Sequence, residues 1–239
     1  MRIFLAGATG AVGRRLASLL CHAGHEVTGT TRTAAKIPLL REVGVVPVVV
    51  DVFDAGALAG AVVAARPDIV IHQLTDLLSG PGTPGYPAAQ EANRRMRIEG
   101  TGNLMQAAKI AGVRRAVAQS IAFVYAPGNG MRDEGDPLDL AADDVRALTV
   151  QGIVALEHEV LATAGIDGVV LRYGYFYGPD TWYELPPKPP SVHIDAAAHA
   201  AFLAVTQGSG VYNIAEDCDV VSSAKAKREL GFDPSFRMN

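Results

Sequence analysis

A short apolar run, Ile3-Phe4-Leu5-Ala6, breaks directly into Gly7-Ala8-Thr9-Gly10-Ala11-Val12-Gly13, and an amphipathic stretch with Val12, Leu16, Leu19 and Leu20 on one side follows at once. Few backbones satisfy that order. The chain has to leave a strand, turn sharply, and enter a helix whose first amides stay uncovered. Glycines at this spacing permit the turn, the approach of an anion to backbone N–H groups, and close packing of helix on strand. Gly7, Thr9, Gly10, Ala11, Val12 and Gly13 therefore read as a cradle for a diphosphate. A tight turn without a ligand would not need three glycines so placed.

The alternation begun there continues. The pattern predicts a helix over 11–21, a strand over 26–30, a helix over 34–43, and a strand over 45–50 whose Pro47 suits an early or edge position. A helix over 55–65, a strand over 68–72, a long helix over 87–111 and a strand over 115–119 follow. A second long helix over 141–164, open to interruption at Gly152, precedes a strand over 168–172, and loops at 79–85 and 126–137 separate these units. Branched apolar runs that barely alternate belong to a sheet covered on both faces. Strand–helix repetition makes it parallel. The fold class is α/β, a Rossmann-type doubly wound parallel sheet. Residues 1–172 read as the dinucleotide-binding domain. Residues 173–239 hold an aromatic, proline-rich stretch to Pro190, helices over 195–206 and 223–230, and a strand over 211–214. They are too few for an independent core, and read as a small, trimmed C-terminal cap on the main sheet.

Cofactor choice is written at the end of the second strand, where a carboxylate serves NAD and an arginine serves the 2′-phosphate of NADP. The sequence there is Thr28-Gly29-Thr30-Thr31-Arg32-Thr33, with Lys36 one turn further on and no acid. Thr31 and Arg32 therefore point to NADP(H) rather than NAD, against the plainer reading of Arg32 as a solvated surface residue. Asp51, beside Val52, is placed to accept from the adenine amino group or to cap the next segment, a task for which Asp54 is better placed. Gln73 and Leu74 end the fourth strand where the ribose and diphosphate would pass, and His72 before them reads as a buried, hydrogen-bonded residue.

The net charge of −4 argues against a nucleic-acid partner. No apolar run is long enough for a membrane span, and no targeting segment is visible, so a cytoplasmic protein with a small-molecule substrate is expected. Cys21 and Cys218 read as two reduced thiols, and no cysteine-type metal site is expected. The long helices starting near Pro87 and Ala141 are the pair through which such folds often form a homodimer.

Several motifs recur in order: Gly7-x-x-Gly10-x-x-Gly13, Asp51-Val52, Pro67 to His72, Asn93 with Gly100-Thr101-x-Asn103-Leu104, Ser120 with Val124-Tyr125, Leu171-Arg172-Tyr173-Gly174, Tyr177-Gly178-Pro179 and Val192-His193-Ile194-Asp195. As an ordered set they resemble the extended or atypical short-chain dehydrogenases/reductases, in their NAD-dependent epimerase/dehydratase branch. In that superfamily a Ser or Thr after the fifth strand and a Tyr-x-x-x-Lys pair in the next helix carry the chemistry. The corresponding helix here, Leu148 to Glu157, has neither Tyr nor Lys. Aligned on Glu157, Thr149 and Ile153 take their places, and the serine position falls on Ile121, one residue after Ser120. Ser120, Tyr125 and Tyr173 remain as candidate catalytic hydroxyls, with Tyr175 and Tyr177 on the same edge and Asp195 as a helix cap. The resemblance implies an NADP(H)-dependent oxidoreductase or epimerase/dehydratase-like enzyme with a non-standard catalytic set, acting on a small organic molecule. The alternatives are a redox-inert NADP(H)-binding sensor or scaffold, and the fold reused for a non-redox biosynthetic reaction.

Overall fold

The computed structural model describes residues 1–77, 79–80 and 82–238. Its opening strand β1 (Arg2–Ala6) sends Ile3 and Leu5 to one face and Phe4 and Ala6 to the other, and all four are buried. That period-two division, repeated on the central strands, is how a nearly continuous apolar run serves two cores at once. The chain continues through α1 (Ala11–His22), β2 (Glu26–Thr31), a 3₁₀ turn (Ala34–Lys36), α2 (Ile37–Glu42), β3 (Val46–Val49), α3 (Ala55–Ala65) and β4 (Ile69–His72). Next come α4 (Tyr86–Arg95), a π-helical turn (Met96–Gly100), α5 (Thr101–Ile110), β5 (Arg115–Ile121), α6 (Asp144–Ala162) and β6 (Asp167–Tyr173). The last elements are β7 (Tyr175–Tyr177), β8 (Ser191–His193), α7 (Ile194–Leu203), β9 (Gly210–Ile214) and α8 (Ala224–Leu230).

Seven strands form one parallel sheet in the order β3-β2-β1-β4-β5-β6-β9. Pro47 lies on the edge strand β3, where its missing N–H is harmless. One core, under α1, α2, α7 and α8, gathers Leu16, Leu20, Leu40, Tyr212 and Leu230. The other, under α3, α5 and α6, gathers Leu58, Val62, Leu104 and Leu156. The fully buried alanines of α7, Ala196, Ala197, Ala200 and Ala201, let it approach α1 closely. Strand order reverses between β1 and β4, so a crevice opens at their carboxyl ends, the place where such sheets take ligands.

Three local expectations differ from the observed chain. The helix expected over 87–111 is split by the π-helical turn; Met96 and Arg97 lie inside, while Arg94 and Arg95 stay outside on Glu91 and Glu99. Gly152 leaves α6 unbroken and serves close approach: a Cβ there would lie 3.1 Å from Arg97 Cδ and 3.3 Å from Arg94 Cα. In the aromatic, proline-rich stretch, to which the sequence pattern assigns no strand, β7 pairs in parallel with β8 just beyond Pro190 as a separate two-stranded sheet. Residues 173–239 thus contribute that small sheet, the edge strand β9, and α7 on the face of α1. Of the expected loop at 79–85, Pro81 lies outside the described residues. Both cysteines are free thiols, and no described helix is long and apolar enough to cross a membrane.

Candidate active site

The turn after β1 is shaped by contacts that only glycine tolerates. Gly7 has φ +88°, and a Cβ there would lie 2.5 Å from the Gln73 carbonyl oxygen. A Cβ on Gly13 would lie within 3.0 Å of Ala8 Cα and closer still to the Gly7 carbonyl oxygen, so α1 rests directly on the turn. Gly7 N–H donates to Thr30 Oγ1 at 3.1 Å, and Gly10 N–H to the Gly7 carbonyl at 3.1 Å. Gly10 caps α1 without a side-chain hydrogen bond, so the first amides of that helix face the crevice uncovered.

Two connected hollows meet there. A groove of 210 Å³ is lined by Gly7, Thr9, Gly10, Thr31, Arg32, Lys36, Val52, Gln73 and Leu74. Ala11 and Val12 border the larger neighbouring cavity of 490 Å³, which shares Gly10, Gln73 and Thr75 with the groove. Gly13 packs behind the turn. Asp51 lies outside both hollows; it is exposed, and its carboxylate accepts from Phe53 N–H at 3.0 Å, while Asp54 caps α3 through Ala57 N–H at 2.9 Å. Arg32 reaches across the groove to Asp76, with Nη2 3.0 Å from Oδ1. His72 is buried against Thr101 Oγ1 at 3.0 Å, and desolvation pushes its pKa down to about 4, so the ring is neutral. These residues fit a dinucleotide: bare amides for a diphosphate, glycines where a Cβ would fill the cradle, and a buried Gln73 amide with no partner among the described residues.

The catalytic candidates separate into two groups. Ser120 and Tyr125 do not line the cavity. Ser120 Oγ donates to Glu157 Oε1 at 2.6 Å, and Arg172 clasps the same carboxylate through Nε at 2.8 Å and Nη2 at 2.6 Å. Arg172 Nη1 donates to the Tyr125 hydroxyl at 2.9 Å, which donates in turn to Asn213 Oδ1 at 2.7 Å. Burial penalises the Arg172 cation, yet Glu157 and Tyr125 together hold its pKa above the ordinary range. This network ties β5, β6, β9 and α6 together. Tyr173 does border the cavity; its hydroxyl is buried beside Gln73 without closing a hydrogen bond, and burial raises its pKa. Asp195 does not cap α7. The His193 ring accepts from the Asp195 N–H at 3.2 Å, and the Asp195 carboxylate pairs with Arg15 at 2.8 Å.

Of the residues that sequence alignment sets against the family's hydroxyl, phenol and ammonium, two reach the cavity. Ile121 and Thr149 border it, Thr149 Oγ1 donating to Gln90 Oε1 at 2.8 Å, and Ile153 is fully buried. Much of the remaining wall is aromatic, with Tyr86, Phe123, Tyr175, Phe176, Trp182 and Tyr183; Phe123 and Tyr175 stack at 4.1 Å, and Lys188 Nζ lies 5.0 Å from the Tyr175 ring centroid. Sequence reading missed Arg97, a buried cation on the same wall. Its signal was present in the spacing of Tyr86, Gln90, Asn93 and Arg97, one helical face of polar residues.

Residues 7–193 match the family model described as NAD(P)H-binding. A Streptomyces protein named 3-diazoavenalumate denitrifying reductase is 40% identical, over 91% of this chain and 76% of its own length. Among solved structures, the Thermus thermophilus UDP-glucose 4-epimerase in complex with NAD superposes with a TM-score of 0.79 at 20% identity, covering 100% of this chain and 95% of that one. The Thermotoga maritima UDP-glucose 4-epimerase with UDP-glucose gives 0.79 at 17% identity, with 99% and 94% covered. At such identities these two report the fold alone. The chain belongs to the NAD(P)H-binding family, and its Rossmann fold is the one these epimerases share.

Proposed function

We propose that the chain is an NADPH-dependent reductase that removes a diazo group, as dinitrogen, from a small conjugated or aromatic acid. The observation that carries this reading is the composition of the reacting end of the cavity. By alignment with the family, Ile121, Thr149 and Ile153 take the places of its hydroxyl, phenol and ammonium; the first two border the cavity and Ile153 is buried behind it. A bound nicotinamide supplies hydride, which turns a carbonyl into an oxyanion requiring a proton but turns a diazonium into a neutral diazene that loses N₂ and leaves hydrogen on carbon. The second outcome consumes one hydride and needs no acid, so the loss of tyrosine and lysine removes nothing essential. The kinship with a reductase named for a diazo acid supports it, and favours turnover over a redox-inert role.

The bare first amides of α1 hold the diphosphate in this reading, and Gln73 orients what lies at the junction of the two hollows. Arg32, Lys36 and the Thr31 hydroxyl take the 2′-phosphate, with Asp76 yielding its hold on Arg32. The aromatic wall excludes water and receives the planar substrate. The test is direct. The protein is mixed with NADPH and the diazonium salt of an aminocinnamic acid; absorbance at 340 nm and the deaminated acid are followed against a protein-free control. Equal amounts of NADPH consumed and deaminated acid formed, well above the control rate, are expected. A rate no greater than the control refutes the proposal.

A further inference from the structure

Among the described residues six buried side-chain nitrogen and oxygen atoms lack a hydrogen-bond partner, and five of them belong to residues lining the 490 Å³ cavity. They are both ends of the Gln73 amide, Asn93 Nδ2, Arg97 Nη1 and the Tyr173 hydroxyl. Buried polar groups are nearly always paired. A concentration of unpaired ones on one hollow means that the partner comes from outside the chain. Their chemistry narrows it: Asn93 Nδ2 and Arg97 Nη1 can only donate, so this side of the wall asks for an acceptor.

Arg97 adds charge to that demand. The residue is 6% exposed and forms no ion pair among the described residues. Both oxygens of Glu157, which faces it at longer range, are already committed to Ser120 and Arg172. Burial draws the Arg97 pKa down to about 10, which still leaves the guanidinium charged at neutral pH. An isolated buried cation destabilises the folded state. The chain nevertheless makes room for it: Gly152 leaves the gap that its side chain fills, since a Cβ there would lie 3.1 Å from Arg97 Cδ.

The geometry points to Arg97, assisted by Asn93 Nδ2, as the receptor for a carboxylate of the substrate, making the cavity selective for acids over their neutral analogues. A planar guanidinium fork matches a carboxylate, and the bond is strong because it forms away from water. The inference rests on reading this cavity as the substrate site, but not on the reaction carried out there.

The experiment measures binding of 4-hydroxycinnamate and 4-hydroxycinnamamide to NADP⁺-saturated protein by calorimetry, for the natural chain, Arg97→Met and Arg97→Lys. The natural chain is expected to prefer the acid by about tenfold or more, the weight of one charge-assisted hydrogen bond. Arg97→Met is expected to lose that preference, bind the amide unchanged, and melt no lower than the natural chain, because an unpaired buried charge has gone. Arg97→Lys keeps part of the preference. The inference is overturned if the natural chain binds neither ligand or both equally. It is also overturned if Arg97→Met lowers the melting temperature and weakens both ligands alike, or weakens NADP⁺ instead. Acid preference without diazonium reduction would leave the receptor standing and remove the proposed reaction; reduction without preference would do the reverse.

Discussion

Replacing Glu157 by Gln tests whether the hydroxyls of Ser120 and Tyr125 serve structure or chemistry. The carboxylate accepts three charge-assisted hydrogen bonds, from Ser120 Oγ at 2.6 Å and from Arg172 Nε and Nη2 at 2.8 and 2.6 Å. The two side chains of the ion pair are 7% and 5% exposed. Glutamine preserves the shape but leaves Arg172 charged and uncompensated, and breaking a buried pair in that way costs about 3–5 kcal/mol. For a chain of this size each kcal/mol moves the melting temperature by roughly 2–4 °C, so a drop of about 6–20 °C is expected. Ser120→Ala, which removes one bond to the carboxylate, should cost about 1.5–3 kcal/mol. Exchanging both Glu157 and Arg172 for Met should recover most of the loss, because a buried pair can often be replaced by apolar volume at little cost. Thermal unfolding followed by circular dichroism gives the stabilities, and NADPH titration the affinities, which should stay within about twofold while the protein is folded. A Glu157→Gln protein that melts within about 3 °C of the natural chain yet reduces substrate a hundredfold more slowly would refute this reasoning and return Ser120 and Tyr125 to the reacting centre.

Two further outcomes follow from the same geometry. His72 is held neutral with a pKa of about 4 against 6.5 unfolded, so the unfolded chain binds the extra proton and stability falls as pH drops from 6.5 toward 4. The full difference amounts to roughly 3 kcal/mol, and denaturant melts at pH 7 and 4.5 should show that His72→Gln flattens this part of the profile; an unchanged slope in the variant rejects the assignment. Arg32→Ala should weaken NADPH binding by about tenfold and leave NADH within twofold, measured by fluorescence titration, since only NADPH carries the phosphate that a guanidinium would hold; equal losses for both nucleotides would reject the choice of NADP.

The sheet was legible because its signals are local. The apolar runs at Ile3–Ala6 and Ile69–His72 announce strands buried on both faces, and Gly7, Gly10 and Gly13 carry the turn in their own spacing. The pairing of β7 with β8 was not legible, because three-residue strands carry too little periodicity and meet across a proline-rich loop. Nor was the fate of Ser120, Tyr125 and Arg172. Their partner Glu157 lies in α6, and Asn213 in β9, so only the assembled sheet reveals that these polar groups satisfy one another. Arg97 was hidden for a different reason. Its charge argues for solvent while its spacing from Tyr86, Gln90 and Asn93 puts it on the inward face, and only the assembled fold shows which prevails.

The polar groups around the cavity bear on the proposed reaction. Ser120, Tyr125 and Arg172 are consumed by the Glu157 network, which faces the core rather than the cavity. Two phenols of the wall have a cation near them: Tyr86 faces Arg97, although burial still leaves its pKa raised, and Tyr175 has Lys188 Nζ 5.0 Å from its ring centroid. Tyr173 could offer a proton, but burial raises its pKa and no cation lies against it to bring that pKa down. Two cations of the wall, among the described residues, are not shared with a carboxylate: Lys188, 5.0 Å from the Tyr175 ring centroid, and the buried Arg97, whose guanidinium with a pKa near 10 holds an anion far better than it gives up a proton. A buried guanidinium without an ion pair agrees with the acid substrate proposed above, and the proposed hydride delivery to an electrophile that becomes neutral on accepting it makes no demand on these phenols.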